Sequence, residues 1–109
     1  GYKFRLPTDI YVDDKYIYVL DSKHSRIVVL DHSGVLFKLI KLDAVQPVCF
    51  TKANSGWVIS DHTGKKLLIS DENLKNFSYK RLDFRPWGVA EISGDIWVSD
   101  PEGGRVLKV

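Results

Sequence analysis

The chain has 109 residues, which is enough for one compact domain and too few for two. Its 16 basic and 14 acidic residues leave a formal net charge of +2 and form no basic block, so we expect no nucleic-acid partner. The longest apolar runs, such as Ile27 to Leu30, are far shorter than the roughly 20 residues that span a bilayer, so we expect no membrane segment.

Three prolines, Pro7, Pro47 and Pro86, mark an internal repeat with spacings of 40 and 39 residues. Each proline is followed at the same distances by an aspartate and by a base. The aspartates are Asp21, Asp61 and Asp100, and the bases are Arg26, Lys66 and Arg105. Large apolar residues also recur in register, ten residues after each proline, at Ile17, Trp57 and Ile96. This many coincident columns indicates three copies of one structural unit.

Short runs rich in Val, Ile, Tyr and Trp, separated by turn-forming residues, predict β-strands throughout each copy. In chain order the predicted strands cover 9–12, 16–20, 26–30 and 35–42, then 48–53, 57–60, 66–70 and 77–82, then 87–92, 96–99 and 105–109. Several of them, such as 17–20 and 27–30, are apolar on both faces. A strand of that kind belongs to a sheet that is packed between two other sheets.

Four short antiparallel strands in about 40 residues are typical of a β-propeller blade, so the predicted fold is all-β. We assign residues 7–46 to the first blade, 47–85 to the second and 86–109 to the third, which lacks its own fourth strand. Residues 1–6 resemble 79–82 and are predicted to be the outer strand of the closing blade.

The best-preserved copy resembles the NHL repeat. The residues that carry the resemblance are Pro7-x-Asp9-Ile10-x-Val12-Asp13, Ile17-Tyr18-Val19-Leu20-Asp21 and Arg26-Ile27-x-Val29-Leu30-Asp31-x-x-Gly34. The second copy departs most, with Lys52 and Ala53 in place of the Val-Asp pair. The resemblance implies a propeller, usually of six blades, in a family whose functions include protein binding, RNA binding, peptide-amidating lyase activity and extracellular sensing.

Three blades cannot close a ring, because propellers usually contain about four to eight. An open stack would also expose an apolar face at each end. We therefore predict a homodimer that closes six blades head to tail, or else one half of a longer six-bladed chain that needs its other half.

The repeated Asp and base are predicted to be structural, because a catalytic site rarely needs three copies. We expect the aspartate to accept hydrogen bonds in the turn and to pair with the base on the next strand. Acidic clusters at 13–14 and 71–73 are interpreted as turn formers, and Cys49 as a small buried residue of a first strand.

The three histidines, His24, His32 and His62, do not occupy equivalent positions in the repeat. They are therefore not expected to converge on the propeller axis, where a metal would need at least three ligands. No metal and no cofactor is predicted. His24 and His62 do share the turn between the second and third strands of neighbouring copies.

Candidate binding residues collect in the loops of one end of the propeller. Trp87 stands near Arg85, Arg5 and Gln46 at the entry to the first strands, and tryptophan with arginine is enriched at binding hot spots. The predicted ligand-binding set is Arg5, His24, His62, Arg85 and Trp87. The predicted function is a non-enzymatic binding scaffold for a protein or a small ligand. The alternatives are a metal-dependent lyase or lactonase, and an RNA-binding propeller.

Overall fold

The computed structural model describes residues 3–109, and within them it contains eleven β-strands and one 3-10 turn at Ser22–His24. The strands are β1 (Pro7–Val12), β2 (Tyr16–Asp21), β3 (Arg26–Asp31), β4 (Leu36–Lys41), β5 (Pro47–Ala53), β6 (Gly56–Asp61), β7 (Lys66–Asp71), β8 (Ser78–Arg81), β9 (Val89–Ile92), β10 (Asp95–Asp100) and β11 (Arg105–Lys108). All eleven predicted strands are confirmed, with ends that shift by at most two residues. The same residues include no helix with the length and apolar character needed to cross a bilayer.

The strands form three antiparallel sheets, one for each copy of the repeat. Sheet 1 contains β1 to β4 and sheet 2 contains β5 to β8, each in chain order. Sheet 3 contains β9, β10 and β11, so the third copy has three strands, as expected. The register shifts by one residue just after Pro7 and again just after Pro47. This shared bulge reflects the proline, which has no N–H group to donate to the ladder.

The sheets are stacked face to face in chain order, with β1 beside β5 and β5 beside β9. Trp57 is fully buried between sheets 1 and 2. Its ring centre lies 5.1 Å from that of Tyr11, 4.8 Å from that of Tyr18 and 5.3 Å from that of Phe50. The other buried members of this core are Leu20, Ile27, Val29, Ile40, Leu42, Ile59, Leu68 and Leu74. The joint between sheets 1 and 2 is therefore an apolar core with an aromatic centre.

A second core fills the joint between sheets 2 and 3. Val58 and Leu67 of sheet 2 meet Val98 of sheet 3, and all three are buried. Because side chains alternate along a strand, Val58 faces sheet 3 while its neighbour Trp57 faces sheet 1. Sheet 2 is thus covered on both faces, which explains why its strands are apolar on both sides.

The acidic clusters form turns, as predicted. Asp13 accepts a hydrogen bond from the Tyr16 N–H at 2.7 Å. The side chain of Asp71 accepts bonds from the N–H groups of Asn73 and Lys75, each at 2.9 Å. These aspartates close the tight connections at the end of the sheets opposite the predicted binding loops.

Residues 3–6, which directly precede β1, form a loop. Lys3 to Leu6 form no strand, and the N–H groups of Arg5 and Leu6 both donate to the side chain of Asp21 at 3.0 Å. Gly1 and Tyr2 lie outside the described residues. The assignment of residues 1–6 as an outer strand stays a prediction, since its pairing would need a second chain.

Candidate functional site

All five residues predicted to bind a ligand lie at one end of the stacked sheets, which we call the loop end. It consists of the segments that precede the first strands, 3–6, 42–46 and 82–88, and of the turns between second and third strands, 22–25, 62–65 and 101–104. The other end carries the connections 13–15, 32–35, 54–55, 72–77 and 93–94.

The repeated aspartates hold the loop end together, and Asp61 shows how. Its side chain is fully buried. It accepts hydrogen bonds from the N–H groups of Val45 at 2.9 Å, Gln46 at 2.8 Å and Gly64 at 3.0 Å. A Cβ atom on Gly64 would come within 2.1 Å of the carboxylate, so glycine is required for this approach. One carboxylate thus fastens the incoming loop to the turn.

Asp21 performs the same task in sheet 1 with more charged partners. In addition to the N–H groups of Arg5 and Leu6, it bonds the Arg26 Nε at 3.0 Å and His24 Nδ1 at 2.7 Å. Burial on its own would raise the pKa of Asp21, but these hydrogen bonds outweigh it and hold the pKa below its ordinary value.

Asp100 repeats the arrangement in sheet 3, where it accepts bonds from the Gly103 N–H at 3.1 Å and Arg105 Nε at 2.9 Å. The hydrogen bond from Arg105, followed by that from Gly103, keeps the pKa of Asp100 below its usual value. All three aspartates are therefore occupied by bonds within their own loops, in agreement with the predicted structural role.

The loop end opens into a groove where sheets 2 and 3 meet. His62 lies edge to face with Trp87, with ring centres 5.0 Å apart, and His62 Nδ1 is 3.1 Å from the carbonyl oxygen of Pro86. Trp87 is 44% exposed. The groove has a volume of about 490 Å³ and is lined by His62, Trp87, Ser99, Pro101 and Glu102. The groove is shallow and wide open to solvent, so it suits a side chain presented by the surface of a partner.

Charged side chains surround the groove on one side. Arg85 Nη1 lies 3.2 Å from both oxygens of Glu102, and both side chains are largely exposed. Arg105 stacks over the ring of Phe84 at 5.5 Å. An adjoining depression of about 310 Å³ includes Lys65, Asp83 and Asp100 as well. The groove therefore combines an aromatic wall with a rim that carries both signs of charge.

The structure divides the five predicted residues into two groups. His62, Arg85 and Trp87 gather at the joint between sheets 2 and 3. Arg5 and His24 belong to sheet 1, where the Arg5 N–H and the His24 ring both bond Asp21. Of the five, only His62 and Trp87 line the groove, and Arg85 lies in the adjoining depression.

Sequence reasoning missed Pro101 and Glu102 as groove residues, although a signal was present. Pro101 occupies the repeat column of Ser22 and His62, whose N–H groups donate to the carbonyl oxygens of Leu6 and Gln46 at 2.9 Å. Proline has no N–H group and cannot make this bond. The third copy thus breaks the repeat at the point where the groove lies.

The histidines occupy three separate environments. His24 bonds Asp21, His62 contacts Trp87, and His32 Nε2 lies 2.8 Å from the carbonyl oxygen of Asp13 at the opposite end. Within residues 3–109 no three side chains of the metal-binding types come close enough together to hold an ion.

Cys49 is half-buried in β5. Burial raises the pKa of its thiol to about 11, with a smaller contribution from the charge of Asp9. A thiol with that pKa is almost entirely protonated at neutral pH and is a poor nucleophile.

No family model and no curated protein sequence matches the chain. Several solved structures are similar to it in fold. A streptogramin B lyase is similar with a TM-score of 0.80 and 24% identity over 94% of this chain and 36% of the lyase. Virginiamycin B lyase from Staphylococcus aureus gives a TM-score of 0.79 and 22% identity over 94% of this chain and 37% of its own. The WD40 domain of Pan2 from Neurospora crassa gives 0.67 and 14% over 94% and 35%.

These similarities support a β-propeller fold for the three stacked sheets. The chain spans about a third of the length of each of these proteins. At such identities the likeness extends to the fold and not to the activity.

Proposed function

We propose that the protein is a non-enzymatic binding scaffold, and that it recognises a partner protein through the groove between sheets 2 and 3. The observation that carries the proposal is the exposed Trp87 held against His62 beside the Arg85–Glu102 ion pair. Tryptophan and arginine are over-represented among the residues that dominate binding energies.

The geometry favours an apolar or aromatic side chain as the part of the partner that enters the groove. The ring of Trp87 and the ring of Pro101 form apolar surface, and the edge-to-face contact with His62 restricts the tryptophan. A rigid aromatic wall loses little conformational entropy on binding. Charged groups of the partner beside that side chain would pair with Arg85 or Glu102 at the rim.

The NHL resemblance and the fold similarity also allow enzymatic alternatives, a metal-dependent lyase or lactonase, and an RNA-binding propeller. The buried aspartates already accept bonds from their own loops, and the thiol of Cys49 is held protonated. These groups suit a structural role better than a catalytic one. Elemental analysis of the purified protein and a salt titration of RNA binding would reveal either alternative.

A random peptide library selected on the immobilised protein tests the proposal. We expect the selected peptides to share an aromatic or large apolar residue. Replacement of Trp87 by Ala is expected to weaken their binding about 30-fold or more, as for a hot-spot residue, and His62→Ala about tenfold, measured by titration calorimetry.

Tyr79→Ala is the matched control, because Tyr79 is an aromatic residue of similar exposure, 47% against 44% for Trp87, and lies on strand β8 and not at the groove. It should leave peptide affinity unchanged. Peptides that lose affinity with Tyr79→Ala and keep it with Trp87→Ala would show that the recognition surface lies elsewhere.

A further inference from the structure

The outer face of sheet 1 is apolar; its edges on β1 and β4 are exposed, whereas Val19 and Val28 at its centre are buried. Two rows of side chains cross all four strands on this face. The first row is Ile10, Val19, Val28 and Leu39, and the second is Val12, Ile17, Leu30 and Leu36. Ile10 is 61% exposed and Val12 57%. An apolar face of this extent on a sheet normally packs against another element.

The outer face of sheet 3 is the second open face. It carries Ala90 and Trp97, which are paired across β9 and β10, and Ser99 and Val106, which are paired across β10 and β11. Trp97 is 39% exposed and Val106 65%. Between these side chains lies a shallow apolar depression of about 230 Å³.

In the repeat register, these two faces correspond to the two sides of the joint between sheets 1 and 2. In the joint between sheets 1 and 2, one side is formed by Tyr18 and Ile27, and the other by Phe50, Trp57 and Ile59. Trp97 and Val106 occupy the columns of Tyr18 and Ile27. The columns of Phe50, Trp57 and Ile59 are filled in sheet 1 by Ile10, Ile17 and Val19.

A polar contact supports the same match. The Ser60 hydroxyl accepts a bond from the Cys49 N–H at 3.2 Å and donates across the second joint to the carbonyl oxygen of Trp87 at 2.6 Å. Ser99 is the equivalent of Ser60 and accepts from the Gly88 N–H at 2.8 Å. The carbonyl oxygen equivalent to that of Trp87 belongs to Thr8, at the edge of the open face of sheet 1.

We propose that a second copy of this chain covers both open faces. Sheet 3 of each copy packs against sheet 1 of the other, so that two identical joints form about a two-fold axis and no apolar face is left over. Trp97 then packs on Ile17 of the second copy, and Ser99 donates to the carbonyl oxygen of Thr8. The packing requires no exchange of strands, since it joins sheet faces.

The same assembly completes the loop end beside the groove. Ser99 and Pro101 line the groove. In the proposed dimer they would face Thr8 of the second copy, because Pro101 occupies the repeat column of His62 and Thr8 that of Trp87, and His62 contacts Trp87. The second copy therefore supplies a wall to the proposed binding site. The contact itself depends only on the sheet faces and stands apart from the nature of the ligand.

Site-directed cross-linking tests the proposed contact. In a Cys49→Ser background, cysteines are introduced by Thr8→Cys and Pro101→Cys, the equivalents of the Trp87 and His62 positions whose rings are 5.0 Å apart. A short bismaleimide should give a covalent dimer and no larger species. The control combines Thr8→Cys with Asn54→Cys, which lies at the opposite end of sheet 2, and should stay uncross-linked. A ladder of oligomers, or equal yields from the two pairs, would overturn the proposal.

Charged substitutions on each face supply the second test. Light scattering of the unmodified chain should give about twice 12.4 kDa. Ile10→Lys and Val106→Glu should each raise the dissociation constant tenfold or more, because a charge cannot be buried in an apolar joint without a partner. Mixed together, they should restore dimers, since each retains one intact half of a joint.

Val45→Lys is the matched control, since Val45 is 68% exposed but lies in a loop outside both faces. It should leave the mass unchanged, and circular dichroism checks that every variant is folded. A monomeric unmodified chain at micromolar concentration, or a dimer that survives both face substitutions, would overturn the proposal.

Discussion

Replacement of Asp61 by Ala is expected to destabilise the fold without a direct effect on any ligand contact. The carboxylate is fully buried and receives three backbone N–H groups, from Val45, Gln46 and Gly64. A hydrogen bond to a charged group contributes about 1.5–3 kcal/mol, and a buried donor left without an acceptor costs about 1–3 kcal/mol.

The three contributions do not add in full, because two of the donors lie in a loop that water can reach once the carboxylate is removed. We therefore expect Asp61→Ala to lower the free energy of unfolding by about 2–3 kcal/mol, within the range typical of a lost buried network. For a domain of this size that corresponds to a fall in Tm of roughly 10–20 °C.

Differential scanning calorimetry and urea unfolding measure this change, at one fixed protein concentration because assembly also contributes to Tm. Asp31→Ala is the control. Asp31 accepts bonds from the N–H groups of Ser33 and Val35 at 2.8 and 3.0 Å, but in a turn open to solvent, so its loss should stay below about 1 kcal/mol. Equal losses in the two variants would refute the view that burial of the acceptor sets the magnitude.

Two further predictions concern titrating groups. Since the pKa of Asp21 and that of Asp100 are lowered in the folded protein, the stability that they contribute is present above the ordinary pKa of Asp, about 4, and is lost as the pH falls from there through their lower folded pKa values. Tm of the unmodified chain should therefore drop between pH 5 and pH 2, and Tm of Asp21→Asn should drop less. An equal drop in the two proteins would contradict the view that Asp21 stabilises the fold in its charged form. Cys49, with a thiol pKa of about 11, should react with iodoacetamide at pH 8 at least about tenfold more slowly in the folded protein than in urea. Equal rates would show that the thiol is not held protonated.

The strands and the structural aspartates were predictable because the same sequence pattern occurs in all three copies of the repeat. Asp21, Asp61 and Asp100 recur at the same distance from a proline in every copy. A residue that recurs in every copy is expected to stabilise the structure that all copies have in common. The turn role of Asp71 was predictable for a similar reason, since Asp31 occupies the same column and bonds in the same way.

The groove was harder to predict because it arises between units. His62 and Trp87 are 25 positions apart in the sequence, and their contact depends on how sheet 3 is stacked on sheet 2. The alternation of residues along a strand predicts which side chains share a face of a sheet, but not how two sheets stack on each other. The choice of Glu102 as the partner of Arg85 likewise depends on two loops that meet only in the folded chain.

The central claim is that residues common to all repeats build the fold, whereas residues that break the repeat recognise a partner. The most direct test measures Tm and affinity for a selected peptide on the same two variants, Asp21→Ala and Trp87→Ala. Asp21 lies in sheet 1, away from the groove. We predict that Asp21→Ala lowers Tm and weakens binding by less than about threefold, while Trp87→Ala weakens binding about 30-fold with a change in Tm of a few degrees at most. A Trp87→Ala variant that keeps full affinity, or an Asp21→Ala variant that keeps its Tm and loses binding, would contradict the claim.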